Sequence, residues 1–147
     1  MLVLGSLPGE RSLAAQRYYA HPQNRFWHLI GRVIGAELGP LGYEQRLAAL
    51  LAARVGLWDT VASARRTGSL DASIREAEHN PLTDLAASLP ELRAVGFNGK
   101  TSAQIGMPQL AHTGLALIPL PSSSPAHATM RLGEKEKLWD QLRDFLA

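Results

Sequence analysis

The sequence contains no cysteine in 147 residues, which removes disulfides, thiolate metal sites and thiol nucleophiles together. Lysine is scarce as well. It occurs only at 100, 135 and 137, so twelve of the fifteen basic residues are arginine. Arginine suits phosphate because its planar fork binds two oxygens at once, yet a formal net charge of +2 permits a local basic face and no more. No apolar run approaches the length of a membrane span. Met1 to Gly5 has neither the charged start nor the long apolar core of a secretory signal, and a cytoplasmic protein without membrane contact is expected. Aromatic residues make up only 6% of the chain. What remains, 46% hydrophobic and 19% charged, is the composition of an ordinary globular protein. The length predicts one domain, residues 1–147, able to bury a core.

The few aromatics are not spread evenly. Tyr18, Tyr19, Phe26 and Trp27 fall within ten residues, in Tyr18-Tyr19-Ala20-His21-Pro22-Gln23-Asn24-Arg25-Phe26-Trp27. Pro22 disfavours helix in the residue before it, so the chain should turn here. A helix then begins near Arg25 and ends near Gly35, with Phe26, Leu29, Ile30, Val33 and Ile34 on its apolar stripe. A turn holding polar and aromatic groups at a helix start serves equally as a ligand site or as a structural start.

Continuous apolar runs at 1–4, 55–61, 93–98 and 115–120 predict four strands. Helices are predicted over 43–54, from Asn80-Pro81 to about 89, for about seven residues after Lys100, and over 134–145 with Leu138, Leu142 and Phe145 inward. Residues 62–71 read as a polar segment, and Ser12 as the cap of a short helix to about Tyr18. This alternation predicts an α/β fold, a three-layer α/β/α sandwich around a mainly parallel four-stranded sheet. Ligands in such sheets bind beyond the carboxyl ends of the strands. The loops there are Gly5 to Gly9, Asp59 to Ser63, Asn98-Gly99-Lys100 and Pro121 to Pro125.

Each loop has a functional and a plain reading. Gly5-Ser6-Leu7-Pro8-Gly9 lets backbone N–H groups approach a ligand, or is a tight strand-to-helix turn. It is neither a Walker A loop nor GxGxxG. Lys100 is a solvated helix-start residue or a phosphate contact. The upstream glycine of a phosphate loop is absent, since position 94 is Ala. Asn98 offers an acceptor and two donors to a base edge, or forms an Asx turn. The histidines at 21, 28, 79, 112 and 127 lack HExxH spacing, so no metal is expected. Ser122-Ser123-Ser124 has no GxSxG elbow and reads as hydroxyl donors to an anion. Asn24 caps the helix that follows, or orients a water for a reaction whose leaving group departs early, as in glycosidic cleavage.

Taken together, Gly5 to Gly9, Tyr19 to Trp27, Phe97-Asn98-Gly99-Lys100 and Leu120-Pro121-Ser122-Ser123-Ser124-Pro125 resemble the uracil-DNA glycosylase superfamily. The first two look like motifs of the mismatch-specific uracil/thymine-DNA glycosylases, where G-x-N-P-G precedes A-H-P-x-N-R-F-W. The first-motif Asn of those enzymes, which positions the attacking water, corresponds to Leu7 here. That replacement, with Trp58-Asp59 and Gly68-Ser69-Leu70-Asp71, is similar to the hypoxanthine-DNA glycosylase branch, the sixth family. There the catalytic Asn lies in the HPxN segment, which maps onto Asn24.

The resemblance implies a monofunctional DNA glycosylase that flips out and hydrolyses deaminated bases, hypoxanthine before uracil, in base excision repair. Asn24 and His21 would hold the water and Tyr19 would stack on the base. Gly5, Ser6, Leu7, Pro8 and Gly9 would line its pocket while Asn98 reads its polar edge. Lys100, Ser122, Ser123, Ser124, Pro125, Ala126 and His127 would meet DNA, with His127, Met130 or Arg131 filling the vacated stack. No Lys stands where a Schiff base would form. No cofactor is implied, and DNA carrying deaminated bases is the expected partner of a monomer. The rival readings are a uracil- or mismatch-specific enzyme of the same superfamily, a non-catalytic lesion-binding member, and a small nucleotide-binding α/β protein unconnected to repair.

Overall fold

The computed structural model describes residues 1–6, 18–19, 23–59, 61–65, 75–79, 81–125 and 129–146. Four strands, β1 (Leu2–Gly5), β2 (Gly56–Asp59), β5 (Ala94–Asn98) and β6 (Ala116–Leu120), form one sheet in the order β2-β1-β5-β6. Every pairing in it is parallel, so all four carboxyl ends lie on one edge. β1 and β5 are central and buried at every residue, which is why they read as unbroken apolar runs rather than as alternating ones.

Successive side chains point to opposite faces of a strand, and the core is accordingly two cores. Val3, Ala94, Ile118 and Leu120 pack with α1 (Phe26–Ile34), α2 (Tyr43–Ala52) and α5 (Leu132–Asp140) on one face. Leu2, Leu4, Val95 and Phe97 pack with α3 (Leu82–Ala87) and α4 (Lys100–Leu110) on the other. The three-layer α/β/α architecture is therefore present, and its central sheet is wholly parallel. Among the described residues no helix is long and apolar enough to cross a membrane.

Three details depart from the sequence-based expectation. The segment read as polar contains β3 (Val61–Arg65), which pairs antiparallel with β4 (Arg75–His79) in a separate two-stranded sheet. The helix after Gly99 runs eleven residues rather than seven, with Pro108 tolerated in its last turn. The closing helix ends at Asp140 and continues as a 3-10 turn over Gln141–Phe145. Its inward face is Lys135, Trp139 and Leu142, whereas Leu138, expected inside, is 43% exposed. The expected helix after Ser12 lies outside the described residues.

α1 and α5 are also joined at the surface. His28 Nε2 lies 2.7 Å from Glu136, and Arg32 donates to Asp140 at 2.9 Å. Exposed ion pairs of this kind contribute little energy; the packed Phe26 and Trp139 rings, edge to face at 5.9 Å, hold these helices together.

Candidate active site

At the carboxyl edge, three loops separated by long stretches of chain meet around one serine. Ser123 is 1% exposed. Its backbone N–H donates to Asn98 Oδ1 (2.9 Å), and its hydroxyl donates to Asn24 Oδ1 (2.8 Å). Asn98 Nδ2 donates to Ser123 Oγ (2.9 Å) and to the Tyr19 hydroxyl (3.3 Å). The Phe26 backbone N–H completes the chain by donating to Asn24 Oδ1 at 2.9 Å.

Two of these donors are backbone amides, and that fixes the direction of the rest. An N–H can only donate, so the Phe26 amide orients the Asn24 carboxamide and the Ser123 amide orients that of Asn98. Asn98, 7% exposed, therefore spends both amide hydrogens on Ser123 and Tyr19. It forms no Asx turn. It bridges to a loop twenty-five residues onward instead. Asn24 satisfies the first amide of α1 without being its N-cap, a place held by Arg25. With two donors on Oδ1, the part of Asn24 left to address a water or a sugar is its Nδ2 group, which donates to none of the described residues.

The scaffold beneath is pinned at several points. The Trp139 indole N–H donates to Pro121 O (2.9 Å), where the serine loop begins, and Arg25 N–H donates to Ser123 O (3.0 Å). Ser102 donates to Leu4 O at 2.7 Å, tying α4 to the end of β1. Gly99 has φ +100°, and a Cβ there would meet Ser122 Cβ at 3.3 Å, so glycine alone lets β5 turn into α4 beneath the serine loop. Ser122 Oγ accepts the Ser124 N–H at 3.1 Å, giving that loop its own turn.

Tyr19 adopts φ 53°, a left-handed conformation costing about 1–2 kcal/mol for a residue with a side chain. Its ring is held by stacking on Phe26, with centroids 3.8 Å apart and planes 14° from parallel. Phe26 and Trp27 are core residues, 0% and 6% exposed. Gly5 ends β1 directly below: a Cβ there would lie 3.2 Å from Asp59 Oδ1 and 3.3 Å from the Tyr19 hydroxyl. Ser6 is buried beside it.

Asp59 is the residue that the list of candidates drawn from sequence left out. It ends β2, opposite Gly5 in the register, and burial pushes its pKa up from the usual 3.8 to about 7. Tyr18, whose N–H donates to the Tyr43 hydroxyl, is pushed up to about 12 by burial first, then by the Asp59 charge and Tyr43. The place of Asp59 at a strand end beside Trp58 is visible in the sequence; its burial is not.

Gly5, Ser6, Tyr19, Asn24, Asn98 and Ser122 to Ser124 are thus gathered at one edge. Lys100 is the exposed first residue of α4, on the same side. Pro125 is exposed beyond the serines, Met130 is half-buried and Arg131 is exposed. Leu7, Pro8, Gly9, His21, Ala126 and His127 lie outside the described residues.

A parallel sheet with a cluster of amides and hydroxyls where its strands end places a ligand site at that edge. Residues 1–143 match the family model of the uracil DNA glycosylase superfamily, and the chain belongs to that superfamily. It is 40% identical over 127 residues to a hypoxanthine DNA glycosylase of Methanosarcina acetivorans, covering 86% of this chain and 80% of that one. To a protein of the same name from Methanosarcina barkeri it is 42% identical over 104 residues, covering 71% and 66%. A solution NMR structure of a candidate uracil DNA glycosylase from Methanosarcina acetivorans superposes with a TM-score of 0.86 at 36% identity, covering 98% of this chain and 88% of that one.

Proposed function

We propose that the protein is a monofunctional DNA glycosylase that extrudes a deaminated base and hydrolyses its N-glycosidic bond, with hypoxanthine preferred over uracil. One domain, residues 1–147, does this as a cytoplasmic monomer without metal or cofactor. The observation that carries the reading is the hydrogen-bonded cluster of Asn24, Ser123, Asn98 and Tyr19 at the carboxyl edge, in a chain about 40% identical to proteins named for hypoxanthine.

A base inside a duplex is out of reach, so the nucleotide must first leave the stack at a cost of a few kcal/mol. Tyr19 then supports the flat face of the base, while Gly5, Ser6 and the loop through Leu7, Pro8 and Gly9 enclose it. As the glycosidic bond lengthens, negative charge gathers on the base and positive charge on the sugar. Polar groups already held in place stabilise that separation without having to reorganise; the Tyr19 hydroxyl is held by Asn98, whose carboxamide is itself fixed by Ser123. The sugar cation needs only a weak nucleophile. Asn24 Nδ2, aided by His21, holds the water that captures it. Ser122, Ser124, Lys100 and the segment from Pro125 through Ala126 and His127 take the flanking backbone, a set of contacts that weakens as salt rises.

Single-turnover excision on duplexes carrying each common deaminated base tests this. Hypoxanthine is expected to be released fastest and uracil more slowly. Release of uracil alone overturns the preferred substrate, and binding of damaged duplex with no release of any base overturns the enzymatic reading.

A further inference from the structure

β1, β2 and β5 end at Gly5, Asp59 and Asn98, and β1 lies between the other two. The parallel register sets Asp59 opposite Gly5, and sets Phe97 opposite Leu4 one residue back. Three adjacent strands therefore stop in a row, with an acid at one end, an amide at the other and a glycine between. The glycine has no side chain to fill the middle of that row. A Cβ on it would stand 3.2 Å from Asp59 Oδ1 and 3.3 Å from the Tyr19 hydroxyl, so both oxygens border the space above bare backbone. Alternation along β2 gives the direction of the carboxyl. Leu57 packs with the core of Val3 and Phe26, and Asp59, two residues on, rises from the same face. Tyr19 packs against that core as well, with one side of its ring on Phe26.

We infer that Asp59 is a further catalytic residue, a protonated carboxyl that donates a hydrogen bond to the departing base from the β2 side of the pocket. The inference rests on the glycosylase reading above and adds a donor to it. A base laid on the outer side of the Tyr19 ring comes to lie beside the gap over Gly5, within reach of the carboxyl. When its bond to the sugar breaks, the electron pair leaves with the base. The proton stays on Asp59, and the water that captures the sugar releases the proton that neutralises the base. A group facing that growing negative charge has to be a donor. Asn98 has both amide hydrogens committed to Ser123 and Tyr19. A protonated carboxyl has an O–H to give, whereas an ionised one only accepts and sets a like charge against the base. Burial favours the protonated form, raising the Asp59 pKa to about 7. The titratable groups that the neighbouring elements bring toward it are phenols: Tyr19 across the gap, and Tyr18, with Tyr43 behind it. Tyr18, at about 12, stays neutral throughout the range in which the carboxyl titrates.

Excision as a function of pH tests this, with circular dichroism to show each protein folded at each pH. Between about pH 6 and about pH 8 the single-turnover rate constant on hypoxanthine duplex is expected to fall about tenfold in the wild type, as a carboxyl of pKa about 7 gives up its proton. Asp59→Asn keeps a donor of nearly the same shape and cannot ionise. Its rate is expected to be flat over that range and to exceed that of Asp59→Ala, which loses ~10²-fold. A fall with pH shared by Asp59→Asn belongs to another group and overturns the inference; this comparison stands even if Asp59→Ala fails to fold. Excision by Asp59→Ala at the wild-type rate overturns it too. A duplex carrying 2′-fluoro-deoxyinosine, whose fluorine opposes formation of the sugar cation, gives a readout that requires no excision. Its affinity relative to undamaged duplex is expected to drop across the same pH range in the wild type and to hold steady in Asp59→Asn. A steady affinity in the wild type removes Asp59 from the base. A pH-dependent affinity in a protein that excises nothing keeps the contact and sinks the glycosylase reading alone.

Discussion

The two edges of the parallel sheet differ in a way that volume alone misrepresents. At the amino edge lies the roomier hollow, about 560 Å³, walled by Met1, Leu2, Leu51, Leu89, Leu92 and Phe145 together with Arg54, Glu91 and Arg93. The hydrogen bonds there are peripheral: the Met1 amine to Arg54 O at 3.0 Å, and Arg54 to Glu91 at 3.4 Å, between exposed side chains. At the carboxyl edge the cavity, lined by Gln23, Ser124 and Lys135 among others, is smaller at about 320 Å³, but beside it amides and hydroxyls from three loops are bonded to one another and oriented by backbone donors. Size marks where something fits. Preorganised dipoles mark where a charge can develop cheaply.

The strongest way to test that contrast is Asn24→Ala. Losing a preorganised polar group from an active site typically lowers turnover ~10²–10³-fold, and single-turnover excision of hypoxanthine is expected to fall by about that much. The lost bonds to the Phe26 amide and to the buried Ser123 hydroxyl should destabilise the fold by about 1–3 kcal/mol, read as a shift in the urea midpoint. Excision at the wild-type rate would remove Asn24 from the chemistry.

A smaller effect concerns Asp59. Its folded pKa of about 7 lies above the ordinary 3.8, so the folded chain keeps a proton that the unfolded chain gives up. The stability from this residue is full below about pH 4, declines as pH rises toward 7, and is flat above, by ~4 kcal/mol at most. Urea unfolding at about pH 5 and about pH 8 should show that decline in the wild type and a flatter dependence in Asp59→Asn. Identical profiles would mean that the carboxyl is solvated.

Least is expected at the other edge. Leu51 is 77% exposed, so Leu51→Ser should leave stability within ~0.5 kcal/mol and excision at the wild-type rate. A loss of excision would join the amino edge to the reaction and end the contrast.

Much of this arrangement is legible in the sequence. β1, β2, β5 and β6 lie within a residue or two of where the apolar runs and their Gly, Asn and Pro boundaries put them; β1 and β5, buried at every residue, are written as unbroken apolar runs for that reason. The β3–β4 hairpin was hidden. Arg75-Glu76-Ala77-Glu78-His79 carries none of the β-branched residues that signal a strand, and its pairing with Val61–Arg65 is invisible to a local reading. The face of α5 was misjudged for a related reason. Leu138, Leu142 and Phe145 repeat at i, i+4 and i+7, but so do Lys135, Trp139 and Leu142, and the second set is the inner one. A lysine at the head of that series made it look like a solvent face. At the site, the residue types were readable from the motifs, whereas the bonds among them were not. Nothing near Asn24 in sequence announces Ser123.

The Ser123–Asn24 bond joins residues 99 positions apart. Closing a loop of that length costs about 4 kcal/mol in chain entropy, several times what one hydrogen bond returns. The bond therefore cannot recruit its own partners. It forms only after the sheet and α1 have already paired the two loops, which makes it a late event in folding and an early casualty of unfolding. The capacity to excise a base is in this sense a report on the integrity of the whole chain. A refolding population should regain its packed core first and its chemistry afterwards.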